Sequence, residues 1–361
     1  MRNFHFIIIL LFTLAGCSDK PLSLEQKLAK VDSLLTDYQA PGMPGAAVMI
    51  IRNKKVLYKK GFGLANIENN DWITPATNFR LASVTKQFTS MAVLQLIENE
   101  KISLDTNLID IFTDFPAIGQ KISIRELLRH TSGLVDYESL VPEEQEEQVR
   151  DKDVLALISQ KPEVYFPVGE KYQYSNSAYA LLALTVEKVS GLSFSDYLDQ
   201  YIFKPLDMNN SVALVKERHT VSDRAYGYTI EEDGSITRTD QSVFSAVLGD
   251  GGVYSSLNDL QQWDQALYEH KLLGPELSSE MFKDQKNASG EPIKYGYGWR
   301  LEDLEKYKVT YHTGVSRGFR NILYRIADEQ FTVVILTNRN SYAELTPLEM
   351  AREISLLILD K

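Results

Sequence analysis
Runs of apolar, strand-forming residues stand near both ends of this chain, and helix-patterned segments fill the stretch between them. Ala46 to Ile51 is apolar without interruption, the pattern of a strand covered on both faces. Arg52-Asn53-Lys54 turns the chain and Lys55 to Gly61 runs back, which predicts a hairpin. Far along the sequence, Tyr307–Thr313, Phe319–Ile326 and Phe331–Asn338 read as three more strands, and Leu345–Leu359 as a closing helix. Between these blocks lie a helix from Ser83 to about Glu98 with Phe88, Met91, Ala92 and Leu96 inward, and a capped helix after Ser123 that ends before Gly133. Further helices run from Ser177 to Val189, stopped at Gly191, and from Ser256 onward. An N-terminal helix opens on the capping box Ser23-Leu24-Glu25-Gln26 and puts Leu24, Leu28, Val31, Leu35 and Tyr38 on one face. The expectation is an α+β protein with one split sheet: a sheet region of about 23–80 plus 295–361, and a helical region of about 81–294.

Forty-four per cent of the residues are apolar, enough for a sizeable core. The net charge of −11 excludes the basic stripe of a nucleic-acid binder, so no nucleic-acid partner is expected. The acidic run Glu143-Glu144-Gln145-Glu146-Glu147 reads as a solvated helix face. Arg2, the apolar run Phe4–Phe12 and then Leu14-Ala15-Gly16-Cys17 read as a lipoprotein signal over 1–16, with lipid attached to Cys17 and a tether over 17–22. That places the protein in a bacterial cell envelope, held to a membrane outside the cytoplasm. Cys17 is the only cysteine, so the chain can form no internal disulfide and no cysteine zinc site. No zinc, dinucleotide or calcium motif is present, and no cofactor is expected.

Ser83 is the only serine followed by lysine three residues on, Lys86. One helical turn puts both on one face, where the amine can reach the hydroxyl and activate it as a nucleophile. Tyr174-Ser175-Asn176 and His312-Thr313-Gly314 follow in that order. So do Leu127–Leu134, Ile202–Met208, Gly251–Ser255 and Tyr295–Trp299. From about Leu24 to about Asn338 the chain resembles the class C β-lactamases, the D-Ala-D-Ala peptidases and related esterases. The resemblance implies an antiparallel sheet flanked by helices, an inserted mainly helical region, and a groove between them that holds the site.

It further implies an acyl-enzyme on Ser83, with Lys86 and Tyr174 sharing the proton work. A tyrosine acting as base needs neighbouring positive charge to lower its pKa. Asn176 would bond the substrate amide or Lys86. The backbone N–H groups of Ser83 and Val315 would form the oxyanion hole. Gly314 would let the substrate backbone approach. His312 stands where class C enzymes carry lysine, and it can be neutral at working pH. Arg300 is either a carboxylate-binding group or a surface arginine, and His130 reads as structural. Gly314-Val315-Ser316-Arg317-Gly318 matches the nucleophile elbow of α/β-hydrolases, but a strand follows it and no histidine stands after His312, so the match is accidental. Three readings stay open: hydrolysis of a β-lactam or a D-amino-acid peptide, carboxylester hydrolysis, and a penicillin-binding sensor without turnover.

Overall fold
The computed structural model describes residues 21–341 and 344–360. The signal segment and Cys17 lie outside the described residues. Six antiparallel strands form the main sheet: β1 (Ala46–Arg52), β2 (Lys55–Phe62), β3 (Arg300–Leu304), β4 (Tyr307–Ser316), β5 (Phe319–Ile326) and β6 (Phe331–Thr337). Their order across the sheet is β3-β4-β5-β6-β1-β2. The N-terminal hairpin thus joins the C-terminal meander through β1 and β6, with Ala46 opposite Thr337 and Arg52 opposite Phe331.

Alternation along these strands feeds two cores. Val48, Ile50, Ile322, Tyr324, Val333 and Ile335 face α1 (Leu24–Leu34) and the C-terminal helix Pro347–Leu359. Ala47, Met49, Leu323, Val334 and Leu336 face the helical region. Two covered faces explain why β1 is apolar at every position up to Ile51. Val31, Leu35 and Tyr38 are buried as the helical pattern predicts, but Leu24 is 47% exposed at the helix start.

Within the helical region, α2 (Lys86–Glu98) is buried from Lys86 to Leu96 and crosses α3 (Asn176–Ser190). Each predicted helix is present except the one expected over the acidic run. Ser83 lies just before α2, in a 3₁₀ turn over Ala82–Thr85, rather than in the α-helix itself. Asn176 is the first residue of α3, capped by Ser175, so the extended segment after Tyr174 ends one residue earlier than expected. The acidic run is a correction: residues 142–148 form an irregular loop with no helix. Four glutamates at spacings of three and four, Glu143 with Glu146 and Glu147 and Glu144 with Glu147, would repel one another on one helix face.

Candidate active site
A short strand, Phe79–Arg80, leads into the 3₁₀ turn and pairs with Val253–Ser255. Leu81 N–H donates to Val253 C=O at 2.8 Å. Ala82 then adopts φ = +50°, a left-handed conformation that a residue with a Cβ rarely takes. Strain of this kind gathers at functional sites, and here it stands directly before Ser83. The turn lies against the far half of β4, where residues 312–316 extend past the end of the β3 pairing. The two come very close: a Cβ on Gly314 would sit 2.0 Å from the Leu81 carbonyl oxygen. The neighbour that requires glycine here is therefore the protein's own backbone, rather than the substrate backbone expected from sequence. Beyond it, Val315 is 58% exposed and lines a cavity of about 870 Å³ together with Ser83.

Lys86 is wholly buried. Its Nζ lies 3.2 Å from Ser83 Oγ, 2.8 Å from Asn176 Oδ1 and 2.9 Å from the Asp250 carbonyl oxygen. Two of these partners are carbonyl oxygens that only accept, while the hydroxyl can reverse its role. A neutral amine therefore keeps both donations and turns its lone pair to the serine proton. Burial pushes the Lys86 pKa down, against the opposing pull of Asp250, Asp136 and Glu138.

Tyr174 flanks the pair. Its ring lies 4.8 Å from Lys86 Nζ and 5.0 Å from the Arg300 guanidinium. Its hydroxyl is buried, and no partner sits at good hydrogen-bond geometry. Burial raises its pKa, outweighing the Ser83 hydroxyl and Arg300, which pull it down. The expectation that neighbouring cations bring this tyrosine below its ordinary value is thus reversed, because burial of its hydroxyl outweighs them. Tyr174 is a phenol here, able to donate a proton.

His312 is buried and held neutral, its pKa driven down by desolvation and then by Arg300 and Lys86. Its Nδ1 donates to Thr313 C=O at 2.7 Å, and its Nε2 accepts from the Tyr295 hydroxyl at 3.1 Å. Arg300 is half-buried at the start of β3, with its guanidinium 5.0 Å from the Tyr174 ring. His130 takes φ = +60°, accepts from Ser175 N–H at 3.1 Å and stacks on Tyr174, a structural placement that holds the Tyr174–Asn176 segment.

Three neighbours escaped the sequence reading. The Asp250 carboxyl accepts from the Tyr137 hydroxyl at 2.9 Å, and Glu138 Oε1 accepts from Asn176 Nδ2 at 2.9 Å. Arg80 is 4% exposed and lines the cavity. Only its place three residues before Ser83 hinted at a role, whereas Asp250 and Glu138 reach the site across long separations that spacing does not reveal. The acidic loop lines the same cavity through Glu143 and Glu146.

Comparison with known proteins gives the family. The chain is 30% identical over 313 residues to penicillin-binding protein 4* of Bacillus subtilis, covering 82% of this chain and 68% of that protein. It is 28% identical over 316 residues to a D-aminopeptidase of Gluconobacter oxydans, covering 86% of this chain. It spans 58% of that relative's length. The octameric penicillin-binding protein homologue of Pyrococcus abyssi superposes with a TM-score of 0.80 at 25% identity, over 94% of this chain and 78% of its own. A sequence model of the β-lactamase family matches residues 31–354. The chain therefore belongs to the β-lactamase family and is a serine hydrolase with the β-lactamase/transpeptidase-like fold.

Proposed function
We propose that the protein hydrolyses amide bonds of β-lactam or D-amino-acid peptide type through an acyl-enzyme on Ser83. The observation that carries the reading is the contact of a fully buried Lys86 with Ser83 Oγ at 3.2 Å. Ser83 Oγ attacks the carbonyl carbon while its proton passes to neutral Lys86. The resulting oxyanion is received by the N–H groups of Ser83 and Val315. Collapse breaks the C–N bond, and the departing nitrogen takes a proton from Tyr174, which Lys86 replenishes. A water molecule then cleaves the ester on Ser83, and the same groups carry its proton. The relatives named penicillin-binding protein and D-aminopeptidase support this chemistry. A carboxylesterase on the same scaffold is the second reading, because the cavity wall mixes its charged and amide side chains with apolar ones, Val141, Val243, Phe244 and Val315. The setting we propose is the cell envelope, with the chain anchored by lipid on Cys17. Fatty-acid labelling that survives in Cys17→Ala would refute the anchor.

The test is intact mass against time after adding a penicillin, and separately a D-alanine p-nitroanilide, with Ser83→Ala as control. A Ser83-dependent adduct or turnover is expected. A persistent penicillin adduct would indicate penicillin-binding chemistry, and one that clears as the drug is consumed would indicate β-lactamase activity. Turnover retained in Ser83→Ala would overturn the nucleophile. No adduct and no hydrolysis in the wild type would sink the amide reading.

A further inference from the structure
We propose that Asp151 is a positioning residue for the attack by Ser83: its carboxylate holds the turn whose Asp250 carbonyl fixes the Lys86 amine. The proposal rests on the acyl-enzyme reading above, in which neutral Lys86 takes the serine proton.

Leu248–Gly251 forms a single helical turn, and Val247 before it offers no capping side chain. The first N–H groups of such a turn have no partner within it. Here both oxygens of Asp151 supply one. Leu248 N–H donates to Oδ2 at 2.8 Å and Gly249 N–H to Oδ1 at 3.0 Å, across nearly a hundred residues of sequence. The carbonyls of the same turn face α2. Gly249 C=O accepts from Thr89 Oγ1 at 2.6 Å, and Asp250 C=O accepts from Lys86 Nζ at 2.9 Å. Lys86 and Thr89 are one helical turn apart, so the two bonds fix the register of the turn against α2. Gly249 is also pressed on α3, where a Cβ would lie 2.3 Å from the Tyr179 carbonyl oxygen. With α2 and α3 on two sides, the Asp151 carboxylate fixes the remaining direction. Three consecutive residues, Leu248 to Asp250, thus link Asp151 to the amine that lies 3.2 Å from Ser83 Oγ.

Asp151 is 8% exposed and borders a second cavity, of about 850 Å³, away from Ser83. A carboxylate so buried needs bonds that favour its charged form. Burial pushes its pKa up to about 7, against the pull of the two N–H groups, and the Asp250 and Glu187 carboxyls push the same way. Along the second cavity, Arg150 pairs with Glu217 and Arg224 with Asp240, while Glu147, Lys152, Asp153 and Lys216 complete its charged wall. None of these cations pairs with Asp151 among the described residues. The charges that act on Lys86 are Asp250, Asp136, Glu138 and Arg300. Asp151 therefore reaches the amine through the turn. A protonated carboxyl offers one carbonyl oxygen where the turn presents two N–H groups, and an asparagine side chain does the same.

Asp151→Asn makes that loss permanent. The assay is labelling of Ser83 by an alkyl fluorophosphonate, followed by intact mass from about pH 5 to pH 9. In this step Ser83 Oγ bonds to phosphorus, fluoride leaves and Lys86 takes the serine proton. Near pH 9 the variant should label roughly tenfold more slowly, because one hydrogen bond to a buried charge is gone. Below pH 7 its plot of log rate against pH should be about one unit less steep than that of the wild type, because one titrating group is gone. A variant that melts lower but labels at the wild-type rate and slope would show that Asp151 serves the fold alone, and would overturn the proposal. Hydrogen exchange of the wild type supplies a measurement that needs no variant. Protection of the Leu248 and Gly249 amides should fall as pH drops through about 7. Unchanged protection would overturn the proposal, and this result decides the matter if Asp151→Asn does not fold. A wild type without a Ser83-dependent label refutes the acyl-enzyme reading alone, and the exchange measurement then judges Asp151.

Discussion

Gly314→Ala is the sharpest single test of how the site is assembled. The new Cβ would lie 2.0 Å from the Leu81 carbonyl oxygen and 3.3 Å from Val84 Cγ2, whereas ordinary contact begins near 3.4 Å. The difference, 3.4 − 2.0 = 1.4 Å, must be taken up by moving β4 away from the 3₁₀ turn. Neither side yields easily. Leu81 N–H is bonded to Val253, and Gly314 is paired with Asn321 in the middle of the β4–β5 ladder. The displacement falls between the two proposed oxyanion donors, since Val315 follows Gly314 and Ser83 stands two residues after Leu81. Donors must lie about 2.7–3.1 Å from the oxyanion, so a shift of this size removes one of them. Losing one such donor costs about 10²–10³ in kcat, and overpacking costs ~1–3 kcal/mol of stability. The assay is the rate of Ser83 acylation by intact mass, paired with a thermal melt. Gly191→Ala is the control: φ is +76° there with nothing within 4 Å of the added Cβ, so it lowers stability without touching the site. Acylation by Gly314→Ala within threefold of wild type, at an unchanged melting temperature, would refute the argument.

Two further outcomes follow from buried charges. The acylation rate should rise with pH and level off below the ordinary lysine value of 10.5, because burial lowers Lys86. In the same window the unfolded chain holds the proton that folded Lys86 has lost, so this group's contribution to stability grows as pH rises through it; a rate flat from pH 6 to 10 would contradict the assignment. Asp264 and Arg325, with side chains 3% and 2% exposed, pair at 2.8 Å, and Thr332 also donates to Asp264 at 2.8 Å. Asp264→Ala leaves a buried guanidinium alone and should cost about 3–5 kcal/mol in urea unfolding, with Arg325→Met added to it restoring much of the loss. A loss under about 1 kcal/mol would show that water reaches the arginine.

What the sequence revealed was local. Ser83 and Lys86 are one turn apart, so their encounter follows from helical spacing, and the strands and caps announce themselves through periodicity and turn residues. What it hid was set by encounters between distant segments. Asp250 and Glu138 carry no signal of their own. Gly314 is visible as a glycine, but its crowding partner Leu81 is not. The direction of the Tyr174 shift was misjudged because the sequence names the neighbouring cations and is silent on how thoroughly water is excluded. The acidic run was read correctly as solvated, but nothing in its composition says that it borders a cavity.

The pairing of β1 with β6 also governs when the molecule can become active. Gly45 N–H donates to Asn338 Oδ1 across 293 residues, and closing so long a loop costs ~5 kcal/mol of chain entropy. Contacts of such span make folding slow, and they cannot form until nearly the whole polypeptide has emerged. The strand that completes the site is among the last parts synthesised, whereas the serine arrives within the first quarter. A chain still being made therefore carries its nucleophile unarmed. The order of the strands by itself delays hydrolysis until the fold closes.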